Sequence, residues 1–192
     1  MKKLYSILLI ALALVMLLPS VVSAATPYAT YTYSAGGQVL TSPAAYVPDT
    51  VVDAAYMGLN GTIDDPRDLL VGPDERVYIV DAASASVKVL DRYYKFMFEI
   101  SEFVNDQGID DKLNKPQGVF VTADTIWVCD TDQNRIVTFD REGNFIKIIP
   151  QPKSSLFDEG AVYKPIAIAV DDYNRLYVVS STTYQGIIVM TD

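Results

Sequence analysis

The sequence predicts an all-β protein made of one four-stranded sheet repeated along the chain. Three observations predict it. Lys115–Ile149 reads as four short strands joined by turns. Imperfect copies of that stretch lie before and after it. Their anchors recur in register: Pro116 lies 50 residues after Pro66 and 49 before Pro165. Tyr78, Trp127 and Tyr177 follow their prolines by 12, 11 and 12 residues, and Asp81, Asp130 and Ser180 by 15, 14 and 15. A period of roughly 20–50 residues with four strands per unit is the pattern of β-propeller blades.

The central unit justifies its elements one by one. Val119-Phe120-Val121 is a short apolar run suited to a buried strand. Thr125-Ile126-Trp127-Val128-Cys129 is rich in β-branched and aromatic residues and makes the second strand. Asp130–Asn134 is a turn of side chains that bond their own backbone. Arg135–Phe139 alternates as a third strand, Asp140–Asn144 is a hairpin loop with a glycine, and Phe145–Ile149 is the fourth strand. Turns this short leave an antiparallel meander as the arrangement. The third-strand copies are Val87–Asp91 and Ile187–Met190. Blades are expected at about 65–114, 115–163 and 164–192, the last one incomplete.

The central unit resembles an NHL repeat, the blade of a family of six-bladed β-propellers. The matching features are Pro116-Gln117-Gly118 at its start, Trp127-Val128-Cys129-Asp130 at the end of the second strand, and Asn134-Arg135-Ile136 opening the third. The first copy has Asp68 in place of Gly118 and lacks the Asn-Arg pair, and the third has Ser180 in place of the aspartate. At roughly 50 residues per blade, six blades need on the order of 300 residues. The chain is therefore expected to be a fragment, an incomplete ring of about three blades.

The chain begins with Met1-Lys2-Lys3, an apolar run Leu4–Leu18, and Val22-Ser23-Ala24. Residues 1–24 read as a secretory signal peptide cut after Ala24. The run is shorter than the roughly 20 residues that span a bilayer, so no membrane span is expected after cleavage. A secreted or extracytoplasmic location follows. With Lys2 and Lys3 removed, 13 basic and 24 acidic residues remain, a net charge of −11. That charge repels nucleic acid and anionic membranes. Cys129, the one cysteine, excludes an internal disulfide and reads as a small buried residue. Residues 25–64 are expected to hold N-terminal strands, among them Thr30–Tyr33 and Val47–Ala55. The second of these suits the ring-closing role that such a strand takes in similar propellers.

There is no histidine, which removes histidine acid–base chemistry and Ser-His-Asp sites from the residues present. Gluconolactonase-like propellers, to which the chain is also similar, hold a divalent cation with carboxylate and amide oxygens. That resemblance makes Asp68 and Gln117, at the starts of the innermost strands, candidate ligands, with Ca²⁺ or another divalent cation as the ion. Ile166 and Ala167 take the matching place in the third copy and carry no side-chain ligand. Asp81 and Asp130 read as structural, capping the turn that follows each of them, with Arg135 pairing to Asp130. Arg67, Asp68 and Gln117 differ between copies while the anchors repeat, which marks them as binding candidates. Ser101–Lys115 and Gln151–Lys164 read as long acidic loops on a rigid scaffold. Three functions stand open: an extracytoplasmic module binding a protein, small molecule or carbohydrate with no bound cofactor, a metal-dependent lactonase-like hydrolase, and a scaffold component of an envelope complex.

Overall fold

The structure, a computed structural model, describes residues 31–42, 49–155, 157, 160–182 and 186–191. The signal-peptide expectation lies outside the described residues, as do Asp158, Glu159 and the first residues of the Val47–Ala55 stretch. The described chain divides after Val51 into two units.

The first unit holds a two-stranded hairpin. β1 (Tyr31–Tyr33) pairs antiparallel with β2 (Val39–Thr41), Tyr31 opposite Thr41. Tyr31 and Tyr33, two apart and so on one face, meet edge to face with centroids 5.7 Å apart.

Val47–Ala55, which crosses from the first unit into the second, is not a strand over its described part. Residues 49–53 are irregular, and α1 (Ala54–Met57) follows. Local chemistry decides this: Asp53 Oδ1 accepts the Tyr56 N–H at 2.7 Å, and Gly58 closes the turn in the left-handed conformation.

The blades come next. Blade 1 is β3 (Pro66–Val71), β4 (Val77–Asp81), β5 (Ser86–Leu90) and β6 (Phe96–Ile100), paired in that order. Ser101–Lys115, read as a loop, contains a second hairpin, β7 (Glu102–Val104) and β8 (Asp110–Lys112). Its turn is built on Asn105, whose side chain accepts the N–H groups of Gln107 and Ile109, with Gly108 at φ 73°. Blade 2 is β9 (Gly118–Val121), β10 (Thr125–Asp130), β11 (Arg135–Asp140) and β12 (Phe145–Pro150), again in chain order. One turn of 3-10 helix, Thr131–Gln133, joins β10 to β11. Blade 3 shows β13 (Pro165–Val170), β14 (Leu176–Ser180) and β15 (Ile187–Met190). The fold is an all-β propeller, present as an arc of three blades.

Alternation along the strands sends one set of side chains to each neighbouring blade. Tyr78, Val80, Val87 and Val89 of blade 1 bury against Val119, Ile126, Val128 and Phe139 of blade 2. The opposite face of blade 2 sends Trp127, Cys129 and Ile136 against Ile168, Val170, Leu176 and Val178 of blade 3. Val77, Ile79 and Leu90, on the other face of blade 1, are covered by Met57 of α1 with Val52, Leu59 and Ile63. The strands β3, β9 and β13 pack side by side as the innermost strands.

Candidate functional site

Antiparallel order places the starts of the innermost strands, the turns between second and third strands, and the blade-to-blade connections at one end of the sheets. Every site residue read from the sequence lies at this end.

The repeated anchor residue builds it. Asp81 Oδ1 accepts the N–H of Asp65 at 3.0 Å, Asp130 Oδ1 that of Asn114 at 2.6 Å, and Ser180 Oγ that of Lys164 at 2.9 Å. Each bond reaches back 16 residues, from the end of the second strand to the chain just before the first. The expected turn cap occurs in part: Asp81 Oδ1 also accepts the Ala83 N–H, while no Asp130 side-chain bond caps the 3-10 turn. The main task of the anchor is a latch across the blade.

The two latch carboxylates titrate in opposite directions. Burial raises the Asp81 pKa, but the Asp65 N–H, the Ser84 hydroxyl and Lys88 outweigh it, and the net shift is downward. Asp130 has fewer donors, so burial wins and its pKa rises. Beside Asp81 the cation is Lys88, bonded to Ser84, Ser86 and Glu99. Beside Asp130 it is Arg135.

Arg135 locks the β7–β8 hairpin. Its Nε donates to Asp130 Oδ2 at 2.7 Å, and its two terminal nitrogens donate to Asp111 at 2.7 and 2.9 Å. The paired guanidinium holds the Asp111 carboxyl down at about 2. Phe103 of the same hairpin stacks on Phe145 at 5.2 Å and meets Phe139 edge on.

The binding candidates are not equivalent. Arg67 pairs with exposed Asp65 at 2.7 Å and is itself about half exposed. Asp68 has both oxygens engaged by backbone: Oδ1 accepts the Leu69 N–H, and Oδ2 accepts the Val119 N–H of blade 2, both at 2.9 Å. Gln117 is half-buried, its N–H donating to the Cys129 carbonyl. Gly118, where blade 1 has Asp68, lets β13 approach: a Cβ there would lie 2.6 Å from the Ile166 carbonyl oxygen. Thus Arg67 and Asp68 are adjacent, while the Asp68 side chain is tied to the backbone one residue beyond Gly118.

Two ties between blades have no mark in the repeat pattern. Thr131 Oγ1 donates to the Pro165 carbonyl at 2.6 Å, and Lys164 Nζ to Asp132 at 2.8 Å. Only the side-chain types, a hydroxyl and an opposite-charge pair, are visible in the sequence.

Cys129 is fully buried, and burial pushes its thiol far up, which suits packing rather than nucleophilic attack. Among the described residues, no group of three or more His, Cys, Asp or Glu is placed to hold a metal ion, and the Asp68 oxygens already serve backbone N–H groups. No described helix is long and apolar enough to cross a membrane.

No family model matches the chain, and no curated protein matches it. Among solved structures it is similar to hydrazine synthase from Kuenenia stuttgartiensis, with 18% identity, 76% of this chain and 36% of that one covered, and a TM-score of 0.51. It is also similar to virginiamycin B lyase from Staphylococcus aureus, with 16% identity, 84% and 48% covered, and a TM-score of 0.40. A third is the extracellular domain of a one component system, BT4673, from B. thetaiotaomicron, with 17% identity, 79% and 21% covered, and a TM-score of 0.44. The chain spans less than half the length of each. The first likeness concerns the fold alone.

Proposed function

We propose that the chain is a binding module of the NHL propeller type that acts outside the cytoplasm and recognises its ligand at the latched end of the blades. One observation carries this reading. The latches repeat from blade to blade, while the residues beside them differ: Arg67-Asp68, Gln117-Gly118 and Ile166-Ala167. A rigid frame with variable positions is how loops on a scaffold serve recognition. Arg67 is the reader of a carboxylate, since a planar guanidinium binds one through two parallel bonds and Asp65 already orients it. Gln117 supplies an amide at the matching position of blade 2. Asp68 positions the two blades rather than touching the ligand. The apolar amino-terminal run and the acidic composition support an extracytoplasmic setting.

The test is a binding screen of the full chain against peptides with free carboxyl termini and against sugar acids. Arg67→Ala and Gln117→Ala are expected to weaken the best binder without moving the melting temperature. If both keep wild-type binding while changes in Glu102–Lys112 remove it, the site lies on the hairpin and the reading fails.

A further inference from the structure

The opposite end of blade 1 carries a feature that folding does not require. The turn joining β5 to β6, Asp91–Lys95, has the same build as Asp140–Asn144 of blade 2. In each, the aspartate Oδ1 accepts two backbone N–H groups, and the fourth residue donates its N–H back to the aspartate carbonyl. That fourth residue has positive φ in both. In blade 2 it is Gly143, at φ 88°; in blade 1 it is Tyr94, at φ 63°. A bulky side chain in this conformation is disfavoured, and glycine is the residue the turn prefers.

The ring is not repaid by burial, because Tyr94 stays 43% exposed. Two other exposed tyrosines belong to or are tied to the same turn: Tyr93, next in sequence, at 60%, and Tyr56 of α1, joined to the turn through Lys95, at 51%. Cations fix those two. Arg92 lies 4.8 Å from the Tyr93 ring centre and donates to its hydroxyl, while Lys95 Nζ lies 3.7 Å over the Tyr56 ring and donates to the Tyr56 carbonyl. A disfavoured residue kept where the sibling turn uses glycine, among exposed rings already held in place, marks a function rather than a fold requirement.

We propose that Tyr56, Tyr93 and Tyr94, with Arg92 and Lys95, form a platform for a β-linked glycan of gluco-configured sugars. Such sugars have equatorial hydroxyls, so each ring presents flat apolar C–H faces that lie on tyrosine rings. Their rim of hydroxyls meets the phenol tips and the cations. Size argues against a protein partner: one turn and one short helix supply the patch, whereas a stable protein interface takes about 20–30 residues a side. This surface lies at the other end of the blades from Arg67 and Gln117, so each proposal can fail without the other.

The experiment is retention of the full chain on cellulose and on chitin, with titration of cellohexaose and chitohexaose, beside binding to phosphatidylglycerol vesicles. The wild type should be retained on at least one polysaccharide and released by the matching hexasaccharide. Tyr93→Ala and Tyr94→Gly should each weaken this by about tenfold or more. Tyr94→Gly should leave the melting temperature unchanged or raise it, which separates lost binding from lost folding. The proposal is overturned if neither polysaccharide retains the chain, or if Tyr94→Gly binds like the wild type. It is equally overturned if vesicles, and not glycans, bind in a Tyr93-dependent way.

Discussion

The two interfaces between blades are built on one frame and filled differently. Between blades 1 and 2 the space is closed by apolar side chains, and the β7–β8 hairpin adds Phe103 as a plug between Phe139 and Phe145. Between blades 2 and 3 a cleft of about 720 Å³ opens beside Trp127, Thr138, Lys147, Ile149 and Met190. The buried Trp127 Nε1 has no hydrogen-bond partner among the described residues. Two things differ at matching places. Val89 faces Phe98 across β5 and β6, whereas Thr138 faces Lys147 across β11 and β12. Blade 2 brings the fourth-strand residues Phe145 and Ile148 to the closed interface, while blade 3 shows three strands among the described residues. Geometry of the repeat sets where blades meet; side chains of the outer two strands set how tightly.

The sharpest way to break this comparison is to empty both sides. Phe139→Ala removes a fully buried ring in contact with two others and should cost about 3–5 kcal/mol by chemical denaturation. Trp127→Ala, at the wall of an existing cleft, should fall at the lower end, about 3 kcal/mol. Equal losses would show that the open interface is as well packed as the closed one.

Arg135→Ala comes next. It frees the hairpin and leaves buried Asp130 without its cation, a change worth about 3 kcal/mol. The plug should loosen with it, seen as faster amide exchange across Glu102–Lys112. Protection unchanged in that hairpin would mean that Phe103 alone holds it.

Gly118→Ala tests the tight inner side of the open interface. The added methyl group meets the Ile166 backbone, and overpacking of this kind costs about 1–3 kcal/mol. No loss of stability would mean that β13 moves away freely.

The smallest expected effect depends on pH. Asp111 has its carboxyl held down at about 2 by Arg135, so the stability it adds is present above pH of about 4 and fades as pH falls towards about 2. Asp130, raised by burial, contributes in the opposite sense, so the comparison is wild type against Asp111→Asn. The gap should be about 1–2 kcal/mol at pH of about 6, allowing for solvent screening, and should close in acid. A gap independent of pH would assign the hairpin's hold to packing.

Much of this was legible because local signals agree. The four strands of the central blade begin within a residue of where apolar alternation and turn residues place them, since each depends on neighbours a few positions away. The α1 segment was misread because Val51-Val52 outweighed a short signal, the Asp53 cap and Gly58 stop around Ala54–Met57. The β7–β8 hairpin was missed for the same reason: its acidic strands mask a turn marked by Asn105 and Gly108. The pairing of Arg135 with Asp130, five residues apart, was legible, but the bonds of Asp130 to the Asn114 amide and of Asp68 to the Val119 amide were not. The Asp68 bond to Val119 joins residues 51 apart, and no pattern in either neighbourhood points to the other.

The latch has a consequence for how the molecule breathes. Asp65, Asn114 and Lys164 stand before their strands, where amides ordinarily trade hydrogen with water within moments. Here each amide hydrogen is tied to the far end of a second strand, so it is released only when the first two strands of that blade part. These three slowly exchanging amides ahead of the sheets would therefore report blade opening, one reporter for each blade. In acid the reporters should separate: protonation weakens the carboxylate acceptors Asp81 and Asp130, whereas the Ser180 hydroxyl has no proton to gain. Lys164 should then keep its hydrogen under conditions that release the other two.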